Sequence, residues 1–134
     1  MKTQIFINLP VESVVQSRGF FGKLGFTFNE RFCSDDTACV VLDDDKFVML
    51  LERERFASFT SKVIVDAATS TEVLIAILCD SREHVERLCN IAFENGGRRY
   101  KDSDDQGFMF SWGFEDPDGH IWEPFWMDHA AATS

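Results

Sequence analysis

VLIAILCDSREHVERLCNIAFENGG, from Val73 to Gly97, reads as a strand, a helix and a glycine stop, in that order. Val73 to Cys79 is an almost unbroken apolar run, the pattern of a strand covered on both faces. Asp80 and Glu83 then form a D-x-x-E pattern resembling a capping box, with Ser81 as the alternative cap. Val85, Leu88, Cys89, Ala92 and Phe93 fall on one helical face, and Gly96-Gly97 ends the helix. Downstream, Arg99 to Lys101, Phe108 to Phe114 and His120 to Trp126 read as closing strands. Asp116-Pro117-Asp118-Gly119 makes a turn between the last two.

The same order stands upstream. Ile5 to Leu9 reads as a strand stopped by Pro10, whose missing N–H cannot continue a central ladder. Val11, Val14, Val15, Phe21 and Leu24 give the following helix its apolar positions, and Gly25 sits where a left-handed cap is wanted. Thr27 to Phe32, Ala38 to Leu42 and Phe47 to Leu51 read as three short strands. The Asp43-Asp44-Asp45 turn between the last two is expected to be a solvated tip rather than a metal site, its three carboxylates being unable to converge on one ion.

Each half is therefore βαβββ, an internal duplication of α+β class. Side by side, the two modules are expected to form a curved, half-barrel-like mixed sheet with helices outside. That predicts one domain over residues 1–128, with modules of about 1–60 and 70–128, and a disordered tail at 129–134. Glu52 to Thr71 joins the modules, and its Phe56 and Phe59 predict a packed, partly helical link.

The composition agrees with a folded domain: 134 residues, 45% hydrophobic and 27% charged, are neither as polar as a disordered chain nor as apolar as a membrane one. Thirteen Lys and Arg against twenty-three Asp and Glu leave a formal charge of -10. That charge repels phosphate backbones and anionic headgroups, which argues against nucleic acid and membrane as partners. No apolar run approaches the ~20 residues that span a bilayer, and the opening run is too short for a signal sequence, so a cytoplasmic location is expected. Cysteines 33, 39, 79 and 89 form no C-x-x-C pair and are expected to be reduced thiols.

FEDPDGHIWEPFWMD, from Phe114 to Asp128, resembles the closing hairpin of the vicinal-oxygen-chelate superfamily of glyoxalases, bleomycin-resistance proteins and extradiol dioxygenases. INLPVESVVQSRGFFGKLGF, from Ile7 to Phe26, resembles its opening strand and helix, and the whole chain looks closest to the predicted lactoylglutathione lyase branch. The resemblance implies the paired βαβββ fold and a homodimer. In metal-dependent members it implies four side chains on four inner strands holding a divalent ion such as Ni, Zn, Co or Mn. Carried onto this sequence, those positions fall on Phe6, Leu50, Leu74 and Glu123, of which only Glu123 offers an oxygen. A set shifted by two residues, Asn8 and Glu52 with Glu123, is the alternative, although each shift moves a ligand about 7 Å along its strand.

Glu123 is accordingly the candidate catalytic residue or metal ligand, its burial beside Trp122 and Pro124 expected to raise its pKa for proton transfer. An exposed, solvated or Arg-paired Glu123 is the competing reading. His120, three residues away, falls on the opposite face of a regular strand and is expected to close the Asp118-Gly119 turn instead. His84 and His129 are expected at the surface. Fourteen Phe and three Trp suggest an aromatic small-molecule cavity in which Phe108, Phe110 and Trp112 share one strand face, most of the other aromatics being core. Arg53 or Arg55 in the Glu52–Arg55 run could clamp a carboxylate, and Asn8 could orient a polar ligand atom. The expected activity is small-molecule binding without a cofactor. The alternatives are a metal-dependent lyase or isomerase resembling glyoxalase I with Glu123 as base or ligand, and an interaction module.

Overall fold

A computed structural model describes residues 2–128 and 130. His129 and the rest of the expected tail, apart from Ala130, lie outside the described residues. The chain divides into two compact units with the boundary between Val65 and Asp66. Both are α+β, each opening with a strand and a helix and closing a mixed sheet.

The first unit runs β1 (Ile5–Val11), α1 (Val14–Lys23), β2 (Thr27–Phe28), a 3-10 turn at Glu30–Phe32, β3 (Thr37–Asp43), β4 (Lys46–Glu52) and α2 (Arg53–Ala57). The sheet order is β1-β4-β3-β2, with β1 parallel to β4 and the other pairs antiparallel. Pro10 does not stop β1, which continues to Val11. At the edge of this sheet its missing N–H interrupts no second ladder. Ser13 caps α1, its side chain accepting from the Gln16 N–H at 3.2 Å. The face of α1 differs by one residue from the expected one: Val15 is exposed and Phe20 is buried beside Phe21.

One sheet face packs under α1, bringing Leu9, Val11, Ala38, Val40, Val48 and Leu50 against Val14, Phe20 and Phe21. Burying each of these side chains apart from Ala38 contributes about 1.5–3 kcal/mol. Side chains alternate along a strand, so Asn8, Met49 and Leu51 point to the other face. The link is partly helical through α2, but Phe59 is 68% exposed rather than packed. At the β3–β4 tip the Asp43, Asp44 and Asp45 carboxylates do come within 4.8 Å of one another, contrary to expectation. Lys2 pairs with Asp44 at 3.0 Å and Lys46 with Asp45 at 2.7 Å, which neutralises much of that tip.

The second unit runs β5 (Leu74–Leu78), α3 (Arg82–Glu94), β6 (Asp104–Asp105), β7 (Met109–Ser111), β8 (Phe114–Glu115) and β9 (Ile121–Met127). Its order is β5-β9-β7-β6, with β8 also on β9 and β5 parallel to β9. Ser81, rather than Asp80, caps α3, accepting from the His84 N–H at 3.1 Å. Ile75, Phe110 and Trp122 are buried with Val85, Leu88, Cys89 and Ala92 of the helix. β5 is covered on one face only: Leu74 and Leu78 are 54% and 52% exposed.

The strand expected at Arg99 to Lys101 does not form. The Lys101 carbonyl accepts from the Trp112 indole N–H at 3.1 Å, and the Arg99 guanidinium lies 4.4 Å from the Phe93 ring centre and 5.3 Å from that of Trp112. Side chains have taken over what a ladder would have used. The long strand expected over Phe108 to Phe114 breaks at Trp112-Gly113 into β7 and β8. The Asp116–Gly119 turn forms as expected, the Gly119 N–H reaching the Asp116 carbonyl at 2.9 Å.

Candidate functional site

On β9 the alternation that buries Trp122 and Pro124 turns Glu123 and Phe125 away from α3. There they line a cavity of about 140 Å³ with Ala76, Lys101, Met109 and Ser111. One Glu123 oxygen, Oε2, accepts from both the Tyr100 hydroxyl and the Lys101 ammonium, each at 2.5 Å. Burial pushes the Glu123 carboxyl up, but the hydrogen bonds from Lys101 and Tyr100, with the Lys101 charge, outweigh it and hold the pKa below the ordinary value. That is the opposite of the sequence expectation. Burial and the Glu123 hydrogen bond both push the Tyr100 phenol upward, so it remains a donor at neutral pH. Gly113 makes the approach possible, since a Cβ there would meet the Tyr100 hydroxyl and ring.

In the turn that precedes β9 the Asp116 carboxylate is buried. It accepts from the Asp118 and His120 backbone N–H groups at 3.0 Å and from the Trp122 indole at 3.1 Å. Burial raises its pKa, opposed by the His120 charge and the Trp122 hydrogen bond. His120 belongs to this turn, in agreement with its structural reading. The network holds the loop that leads into β9.

A larger cavity, about 350 Å³, opens on the first unit's sheet on the face away from α1. Phe32, Met49, Leu51 and Phe59 supply its apolar lining, and Asn8, Arg31, Cys33, Ser34, Thr37 and Arg55 its polar one. The Asn8 amide donates to the Phe6 carbonyl at 3.3 Å. The Arg55 guanidinium lies 5.3 Å from the Phe59 ring centre. The Cys33 thiol donates to the Asn29 carbonyl at 3.2 Å and accepts from the Cys39 N–H at 3.4 Å. All four cysteines are free, and burial pushes the thiols of Cys79 to about 11 and Cys89 to about 12.

Several candidates stand elsewhere than expected. Phe110 is buried, 5.5 Å from the Arg82 guanidinium, and Trp112 meets Phe93 of α3 edge-on at 5.4 Å. Both serve the helix side, and Phe108 is exposed before β7 begins, so it is Met109 and Ser111 that reach the Glu123 cavity. Arg53 is exposed outside the first-unit cavity, where Arg55 is the residue from that run. The Glu52 carboxylate accepts from the Val14 N–H at 3.0 Å, acting as an anion at the start of α1. Tyr100, Lys101 and Arg31 were not singled out in the sequence. Tyr100 is the one tyrosine of the chain, and that rarity was the available signal.

The donor set does not fit a divalent ion. Phe6, Leu50 and Leu74 offer hydrocarbon, and Leu50 faces α1, with Met49 and Leu51 on the cavity side. Asn8 and Glu52 point to opposite faces of their sheet, because Asn8 pairs with Met49 whereas Glu52 pairs with Val11, three residues along. Glu123 already holds the Lys101 ammonium. Among the described residues the one cluster of three potential ligands is Asp43, Asp44 and Asp45, at the β3–β4 hairpin tip, and none of the three lines either cavity.

No family model and no curated protein matches this chain. Solved structures do. A hypothetical protein from S. aureus is 25% identical, covering 93% of this chain and 94% of its own, with a TM-score of 0.79. A glyoxalase/bleomycin resistance protein/dioxygenase family enzyme from Burkholderia phytofirmans PsJN is 16% identical over 94% and 99% of the two chains, with a TM-score of 0.77. That likeness fixes the fold. A glyoxalase-related enzyme from Fulvimarina pelagi agrees, 18% identical over 94% and 88% with a TM-score of 0.78. The Burkholderia and Fulvimarina structures carry glyoxalase-type descriptions, the S. aureus one carries none, and no one of the three specifies a lactoylglutathione lyase.

Proposed function

We propose that this protein is a small-molecule binding member of the glyoxalase/bleomycin-resistance/dioxygenase superfamily that works without a divalent ion. The observation that carries the reading is the first-unit cavity. At about 350 Å³ it lies in the ~300–1,000 Å³ range of ligand pockets, with apolar walls and a few polar groups to fix orientation. A glyoxalase-like lyase or isomerase needs a metal and a free base. Here the Lys101 and Tyr100 hydrogen bonds occupy Oε2 of Glu123 and hold its pKa below the ordinary value, which leaves it a weak base for taking a proton from carbon. The proposal includes a cytoplasmic setting, which the free thiols support, and a pairing of two copies that would cover apolar side chains such as Leu74 and Leu78. Among the described residues no helix is long and apolar enough to cross a membrane.

A thermal-shift screen of a chemically diverse library tests the binding reading, run with and without a chelator. Stabilising ligands whose effect survives chelation are expected. A screen with no stabilising ligand would remove the reading. About one Ni, Zn, Co or Mn ion per purified chain, with turnover of methylglyoxal and glutathione lost on chelation, would replace it by the lyase.

A further inference from the structure

We infer that the first-unit cavity takes an anionic amphiphile: a flat or aliphatic hydrocarbon body carrying one carboxylate-type head, with Arg31 and Arg55 as its counter-charges. This names the ligand class and rests on the binding reading above. The chain carries 23 Asp and Glu against 13 Lys and Arg, yet among the described residues no acidic side chain lines the cavity and two arginines do. By composition alone, acidic side chains would be expected to outnumber basic ones along such a wall.

The nearby carboxylates are already engaged. Glu30, beside Arg31 in sequence, pairs with Arg18 at 2.6 Å. Asp36, close enough for its charge to feel Arg55, accepts from the Ser34 and Thr37 hydroxyls at 2.9 and 3.0 Å. Among the described residues neither Arg31 nor Arg55 has an ion-pair partner within 4.0 Å, whereas Arg18 and Arg82 do. Arg55 is steadied instead by the Phe59 ring, an arrangement that leaves the edge of a guanidinium able to donate two parallel hydrogen bonds to a carboxylate. Met49 and Leu51 floor the site. Methionine adapts to irregular hydrocarbon, which suits a wall that must accept a body rather than a point charge.

Isothermal titration calorimetry with three probes of one body separates the possibilities: 2-naphthoate, its neutral primary amide, and the cationic 2-naphthylmethylamine. The wild type is expected to bind the acid at least about tenfold more tightly than the amide or amine. Arg31→Gln and Arg55→Gln should each weaken acid binding by roughly tenfold, because each removes one charge-assisted contact. Arg53→Gln, outside the cavity, should leave binding unchanged, and unaltered melting temperatures confirm that the exposed substitutions leave the fold intact. An amide that binds as well as the acid, or arginine variants that bind it as tightly as wild type, would overturn the ligand class and leave the binding reading standing. Silence from all three probes would also overturn the class. The binding reading falls only if the broad screen is silent too.

Discussion

Replacing Lys101 by Met keeps the hydrocarbon stem and removes the ammonium that Glu123 holds at 2.5 Å. The Glu123 side chain is 21% exposed and that of Lys101 38%, so the pair is partly screened and its worth is discounted accordingly. A charge-assisted hydrogen bond to a half-buried carboxylate contributes about 1.5–3 kcal/mol; with that discount, about 1–2 kcal/mol is expected at pH 7. The pH dependence is the sharper test. Because Glu123 has its folded-state pKa below the ordinary value, the pair's contribution is full above the unfolded carboxylate pKa of about 4.3. It is lost as pH falls through the folded value. In Lys101→Met only the Tyr100 hydrogen bond still opposes burial, so the Glu123 pKa should rise. Denaturant unfolding at pH 7 and at pH 3, with NMR titration of the Glu123 carboxyl, reads both effects. The stability gap between the two proteins should shrink at pH 3. An equal gap at both pH values, or a Glu123 pKa that does not move, would refute the reasoning.

Gly119→Ala should destabilise by about 2–4 kcal/mol in thermal melts, since φ is +95° and the new Cβ would lie 2.7 Å from the Ala67 carbonyl oxygen, whereas Gly19→Ala, in open space within α1, should stabilise by about 0.5–1 kcal/mol. Asp116→Ala strips partners from the Trp122 indole and two backbone N–H groups, so denaturant unfolding should show a loss of about 3–5 kcal/mol; a loss below about 1 kcal/mol would mean that water replaces the carboxylate. Glu52→Gln should cost only about 0.3–1 kcal/mol, through the start of α1, and leave ligand affinity unchanged in a binding titration.

The paired strand–helix openings were legible because their periods are strong: Val85, Leu88, Cys89 and Ala92 are the buried residues of α3, and Gly25 and Gly96 both take positive φ where the helices end. The stretch after Gly97 was not. Arg99 and Lys101 look like a strand in isolation, and the partners that divert them, Phe93, Trp112 and Glu123, stand elsewhere in the chain. Alternation placed Phe110 and Trp112 on one face correctly, but it carries no statement of which face a helix will cover. Glu52 shows the same limit: its partner, the Val14 N–H, is 38 residues away. Glu123 was found by its place in the closing strand, while the direction of its pKa depended on Tyr100 and Lys101, more than twenty residues upstream.

The most direct test is an amide NMR titration of the wild-type protein with a stabilising ligand from the screen, in the presence of a chelator. Shifts that saturate and cluster at Asn8, Arg31, Cys33, Met49, Leu51 and Arg55 are predicted. Shifts that arise only after a divalent ion is restored, and that centre on Glu123, would contradict binding without a metal.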